Sequence, residues 1–406
     1  MPANEALAAR LMLEFAKRIG LDSETKSPNR YLWTDAFAVC NFLELFTRTG
    51  ELKYREYAIR LIDQVHQVLG RYRHDDVRHG WIGGLDEETG QLHPTIAGLR
   101  IGKPLKERLN AEPLDERLEW DRDGQYFHYL TKWMHALCQT AIIANRSGYV
   151  RWADELASAA FQGFGCVSHS DGDGLIGLYW KMSIDLSRPL VFAMGSHDAL
   201  DGFITFREVK SAMADLSVAT EMNKITIAIE SLSPLCQRRG WTTDDPLGLG
   251  GLLFDSCRLC RLLDPNSHAD VDLLEALLES CSYGLISFVR AGPLANAVSN
   301  RLAFRELGLA IGLKAVSAIA HTIEEHHTHF ENRVGLSRSI DLLQRHMLIG
   351  DKIISTWLPY AEHQDNIWRA HKDINEVMLA TALIPNTFLS IGHTIRPVDQ
   401  NGAKCA

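Results

Sequence analysis

Hydrophobic residues recur along nearly the whole chain with the 3.6-residue period of an α-helix, and the segments carrying that period are of two alternating kinds. AFAVCNFLELF (36–46), YLTKWMHALCQTAIIA (129–144), PLGLGGLLFDSC (246–257) and RLAFRELGLAIGLKAV (301–316) are apolar nearly all round. LKYREYAIRLIDQVHQVL (52–69), VRWADELASAAFQGF (150–164) and DLLEALLESCSYGLISFV (272–289) carry one apolar face. A helix apolar on every side must be enclosed by other layers, whereas one with a single stripe lies half in solvent. The alternation therefore predicts an inner and an outer ring of helices. Paired segments fall at 34–50 and 52–69, 126–145 and 150–164, 198–210 and 216–232, 247–263 and 271–290, and 302–320 and 336–355. The segment 372–384 reads as an inner helix with no outer helix after it, and 3–19 as an outer helix with no inner one before it. Joining the two ends closes an all-α (α/α)6 toroid of six hairpins, a single domain over 1–406. The open alternative, a superhelix of helix pairs, needs a fixed short repeat, and none is visible.

Two stretches interrupt the pattern, 71–123 and 166–196. The second contains SDGDG turn chemistry followed by LIGLYW, which reads as a short β-hairpin. Both are rich in Trp, Tyr, Arg and Asp, unlike disordered segments, and are expected to cover the mouth of the toroid.

Composition narrows the function. With 42 Lys plus Arg against 51 Asp plus Glu, the formal charge is −9, which argues against a nucleic-acid partner. The longest apolar candidate for a membrane span, 303–320, is interrupted by Arg305, Glu306 and Lys314, and the first 15 residues carry Glu5, Arg10 and Glu14 where an export signal needs an uncharged core. A cytoplasmic protein without membrane attachment is expected. Of the eight cysteines, Cys257 and Cys260 form one CxxC, but no second pair or His pair follows at zinc-site spacing. His321, Glu325 and His329 share a helical face at the rim opposite the mouth and read as solvated surface. No phosphate loop occurs, GLGG at 248–251 reads as a close-packing patch inside an inner helix, and neither cofactor nor metal is expected. Arg100, Lys103, Lys106 and Arg108 form a short basic loop that either is solvated or holds an anionic group.

In such a ring the inner helices run the same way, so their N-termini, with free N–H groups and dipoles, gather at one mouth. The unusual polar residues fall at those starts: Trp33 and Asp35; Trp120, Asp121 and Asp123, then Tyr126, His128 and Tyr129; His197, Asp198 and Asp201; Asp244 and Asp245; Arg301 and Glu306; Trp368, His371, Asp373 and Glu376. Singly, each fits a cap, a core aromatic or a buried ion pair. Together, carboxylates beside aromatic platforms suit a small polyhydroxylated ligand, with Trp33, Asp35, Trp120, Tyr126, His128, Tyr129, Arg301 and Trp368 as binding residues.

HGWIGGLDEETGQ (79–91) resembles the Gly-Gly-aromatic turn that follows the first hairpin of sugar-active (α/α)6 proteins, and FLELFTRTGELKYREYAIRLIDQV (42–65) resembles their second-helix entry. The chain is similar in length to the N-acylglucosamine 2-epimerase family and to six-hairpin glycosidases. The resemblance implies one of two chemistries. In the first, a carboxyl pair hydrolyses a glycosidic bond, with Asp121, Asp123, Asp198 and Glu376 as the leading candidates and Asp35 and Glu306 beside them. In the second, a histidine pair shuttles a proton, with His197 or His128 opposite His371. A non-catalytic binding toroid is the third alternative.

Overall fold

The structure is a computed structural model that describes residues 2–22, 29–167, 174–195, 197–218, 222–237, 240–264, 267–325, 330 and 333–389. Ser170–Asp173 of the SDGDG turn, Ser196, His326, His327, His329 and Cys405 lie outside the described residues.

Helix α1 (Ala3–Arg18) precedes the hairpin α2 (Leu32–Thr49) and α3 (Leu52–Leu69), turned by Gly50 in the left-handed region at φ 72°. The first insertion contains α4 (Glu87–Leu92) and α5 (Glu116–Glu119). The next hairpins are α6 (Phe127–Ala144) with α7 (Ser147–Phe164), α8 (Asp198–Asp215) with α9 (Met222–Cys236), and α10 (Pro246–Leu262) with α11 (His268–Ala291). Helix α12 (Ala303–Glu325) leads to α13 (Val334–Arg345) and α14 (Leu348–His363), then to α15 (Asn366–Arg369), α16 (Lys372–Leu383) and α17 (Asn386–Leu389).

The inner ring is α2, α6, α8, α10, α12 and α16, each packed on the next, with α16 returning to α2. The unpartnered terminal segments meet: α1 packs on α16, and Arg18 reaches Asp373 at 2.7 Å and Glu376 at 2.5 Å. The segment expected as one outer helix over 336–355 is two. The chain turns at His346–Met347, so that α13 packs on α11 while α14 takes the outer place on α12. Each piece keeps an apolar face, which is why the period runs unbroken through the turn.

The closest inner approach is between α10 and α12. A Cβ on Gly250 would lie 2.1 Å from the Gly308 carbonyl oxygen, and one on Gly312 would lie 2.6 Å from that of Gly250. Only glycine lets two backbones meet this closely, so the GLGG patch is a packing device. Helix α12 is long and apolar enough to cross a membrane, yet it stands inside the ring against α10, α14 and α16. Below the mouth, α17 fills the axis: Phe388 stacks on Phe37 at 4.3 Å and on Phe254 at 4.4 Å, and its carbonyl faces His135 Nε2 at 2.9 Å. Cys257 and Cys260 are free and buried, and no metal-binding group is found among the described residues.

The second insertion and the segments beside it form antiparallel strands: β1 (Gln125–Tyr126), β2 (Gly165–Val167), β3 (Leu175–Met182) and β4 (Pro189–Met194), with β3 pairing with each of the others. The strand expected at LIGLYW is β3; it pairs with β2, which precedes the SDGDG stretch, as well as with β4, and β1 ties it to the start of the inner helix α6.

Candidate active site

A cavity of about 830 Å³ opens where α2, α6, α12 and α16 begin, and a second lobe of about 420 Å³ continues it towards α8 and α10. Trp33, His128, Trp180 and Leu247 line both lobes. Lys103 and Trp120 come from the first insertion, and Trp180 from β3.

The shared wall is aromatic. His128 stacks on Tyr126 at 5.4 Å and faces Trp180 in parallel at 6.4 Å, while Trp33 and Tyr129 meet His128 edge-on. Trp120 stands edge-on to Trp180 at 5.0 Å and is more than half exposed at the rim. The Tyr31 and Tyr129 hydroxyls lie 2.5 Å apart. Such ring faces match the apolar faces of a pyranose, and their polar edges match its hydroxyls.

Two buried carboxyls face this wall, one in each lobe. Asp198, in the first turn of α8, is pushed up to about 7 by burial and by neighbouring Asp201, against the opposing pull of Lys132. Its Oδ2 has no hydrogen-bond partner, and its Oδ1 lies 3.7 Å from His128 Nδ1, which is also without a partner. Gly195 makes room for the carboxyl: a Cβ there would sit 2.1 Å from Asp198 Oδ2. Asp35, in α2, is pushed up to about 6 by burial, opposed by Arg30 at 3.6 Å and by the Tyr31 N–H that donates to Oδ2. Burial lowers His128 to about 4, so its ring is neutral near pH 7.

Beneath the second lobe lies an ionic lattice that ties three inner helices together. Asp201 accepts from Lys132 at 2.7 Å, Thr131 at 2.5 Å and Arg258 at 2.6 Å. Burial alone would raise its carboxyl, but Lys132 and Arg258 hold it far below the usual range. Arg258 also donates to Asp255 and Glu208, and Glu208 meets His135 at 2.7 Å. Asp255 is pushed up to about 6 by burial and by Asp201.

Of the residues named as catalytic or binding candidates, the cavity gathers Trp33, Asp35, Trp120, Tyr126, His128, Tyr129, His197, Asp198 and His371. The other six do not line it. Asp121 is exposed, and its carbonyl accepts from Leu105 N–H within the first insertion. Asp123 is fully buried behind the wall, where it accepts from Arg100, from Gly102 N–H at 3.0 Å and from Gly124 N–H at 3.1 Å. It is the ionic hub of the insertion. Glu376 is enclosed by Arg18 and Lys372 and seals the ring between α1 and α16. Arg301 forms a bidentate pair with Glu306 at 2.7 and 2.6 Å, and Glu306 also accepts from Trp357 Nε1. Trp368 is wholly buried beside Trp357. His197 points its Nε2 at the Trp241 carbonyl, 3.0 Å away.

Trp180, Tyr31, Arg30, Lys103 and Asp255 also line the cavity and were not among the expected site residues. Asp255 and Arg258 did leave a signal: isolated charges three apart in a helix apolar on all sides require partners across the ring.

The geometry defines the fold first: a closed ring of six inner helices with an aromatic mouth is an (α/α)6 toroid. The sequence matches no protein-family model and no curated protein. Among solved structures, the chain is similar to a GH76 alpha-mannanase of Bacteroides thetaiotaomicron, with TM-score 0.50 and 9% identity over 96% of this chain and 97% of that one. A cellobiose 2-epimerase from Spirochaeta thermophila aligns over 86% of this chain and 97% of its own, with TM-score 0.44 and 12% identity.

Proposed function

We propose that the protein is a carbohydrate-active enzyme that hydrolyses a glycosidic bond, with Asp198 as proton donor and Asp35 as the second carboxyl. The observation that carries this reading is Asp198 itself: a buried carboxyl with an unpartnered oxygen, held protonated close to neutrality beside an aromatic wall. A general acid requires a proton at working pH and an atom free to give it. Asp35, ionised above about pH 6, supplies the negative charge that activates water or stabilises an oxocarbenium-like transition state. The fold shared with an alpha-mannanase is in keeping with this reading. Activity needs Asp35 ionised and Asp198 protonated, so kcat/KM is expected to peak narrowly between pH 6 and 7.

The test is turnover of a panel of aryl glycosides by wild type, Asp198→Asn and Asp35→Asn, with melting temperature as the fold control. Each variant is expected to lose roughly 10²–10⁴-fold in turnover. Unchanged hydrolysis in Asp198→Asn overturns the assignment.

A second reading, sugar epimerisation, is favoured by one observation: His128, neutral near pH 7, and His371 line the same lobe. It predicts solvent deuterium entering the carbon next to the carbonyl of a free sugar, with loss of exchange in His128→Asn and in His371→Ala.

A further inference from the structure

The larger lobe is basic in a protein whose overall charge is −9. Among the described residues, its walls carry Arg18, Arg30, Lys103, Arg305, Arg369 and Lys372, against the carboxyls of Asp35 and Asp373. Three of the six cations are neutralised by acids on or behind the wall: Arg18 by Asp373 and Glu376, Lys372 by Glu376, and Arg305 by Asp245. Arg30 lies 3.6 Å from Asp35, an ion pair without a hydrogen bond, and the other two have no acid partner among the described residues. Lys103 lies over the Tyr31 ring at 5.3 Å and forms no ion pair with a described residue. Arg369 likewise forms none.

Arg30 is the most telling. Its side chain is 1% exposed, and its Nη1 is buried without a hydrogen-bond partner, 3.6 Å from Asp35. A buried guanidinium nitrogen left unpaired is costly, and an incoming oxygen would satisfy it. The N-terminal ends of α2, α12 and α16 also reach this lobe, through Tyr31, Phe304 and His371, and they add positive dipole ends to the same wall.

We propose that the ligand of this lobe is an acidic saccharide, its carboxylate or phosphate held by Arg30, Lys103 and Arg369. This rests on the reading of the cavity as a sugar site and deepens it by naming the charge of the substrate. It also gives a role to the basic loop at 100–108. Arg100 is committed to Asp123 and Arg108 to Glu119, whereas Lys103 faces the cavity.

The experiment is titration calorimetry of the full chain with matched ligands: glucose, glucuronate and glucose 6-phosphate; mannose, mannuronate and mannose 6-phosphate; and inorganic phosphate alone. The acidic member of at least one set is expected to bind about tenfold or more tightly than its neutral parent at low salt. The uronate and phosphate arms tell the two anions apart. The preference is expected to fall below about threefold in K103Q/R369Q with the melting temperature retained. Neutral and acidic sugars binding alike, or a preference that survives in the double variant, overturns the anion site and leaves the sugar reading standing. Binding of inorganic phosphate with no sugar bound in any form overturns the sugar reading, and with it the acidic saccharide.

Discussion

Replacing Asp198 with asparagine is expected to inactivate the protein and, above neutral pH, to stabilise it. An aspartate in the unfolded chain ionises near 3.8, whereas burial and Asp201 push Asp198 up to about 7 in the fold. Between those values the folded state retains a proton that the unfolded state has released. Stability therefore falls as pH rises through that window and levels off above it. At about 1.4 kcal/mol per pH unit, a shift of roughly three units costs the folded wild type about 4 kcal/mol by pH 8. Asparagine has nearly the same shape and no charge to bury. Urea denaturation of both proteins at pH 5 and pH 8 isolates this contribution, because the other ionisable groups are common to both and cancel. Relative to wild type, Asp198→Asn is expected to gain about 2–3 kcal/mol more at pH 8 than at pH 5, since the wild type already bears part of the penalty at pH 5. A stability difference equal at the two pH values, or a variant that loses ground at pH 8, would refute the argument. Asp198 would then be ionised and solvated rather than held as an acid.

Gly250→Ala is expected to destabilise by about 1–3 kcal/mol or more, because its Cβ would meet the Gly308 backbone, whereas Gly251→Ala, with nothing within 4 Å, is expected to be neutral or stabilising; urea denaturation compares the two. Asp123→Asn strips a buried charge from Arg100 and is expected to cost about 3–5 kcal/mol, read by denaturation together with faster tryptic cleavage within 100–108. Trp180→Ala removes the parallel face opposite His128 and is expected to weaken sugar binding roughly tenfold by calorimetry, with little change in melting temperature.

The ring itself is legible in the sequence. Inner helices must be apolar on all sides because they touch neighbours on all sides, so 36–46 and 129–144 announce their layer without any contact being known. Closure by the chain ends is legible for the same reason: an outer helix without an inner one, and an inner without an outer, must find each other. The break between α13 and α14 is not legible, since both pieces keep the same apolar period. Neither is the plug in the axis, where the burial of Thr387, Phe388 and Leu389 depends on the space the ring leaves.

For the site, the sequence determined the neighbourhood and the tertiary structure chose among its members. Parallel inner helices force the polar residues at their starts towards one rim, and this brought Asp35, His128, Asp198 and His371 to the cavity. Adjacent residues nevertheless have opposite fates. Trp120 lines the cavity while Asp121 faces solvent, and Asp123 turns inward to Arg100. Arg301 and Glu376 occupy the right ends of the right helices but are each claimed by a partner of opposite charge, Glu306 and Arg18. Whether a charged side chain serves a ligand or an ion pair depends on which opposite charge folding places within a few ångströms of it. That distance is set by helices far apart in the chain, and local sequence does not contain it.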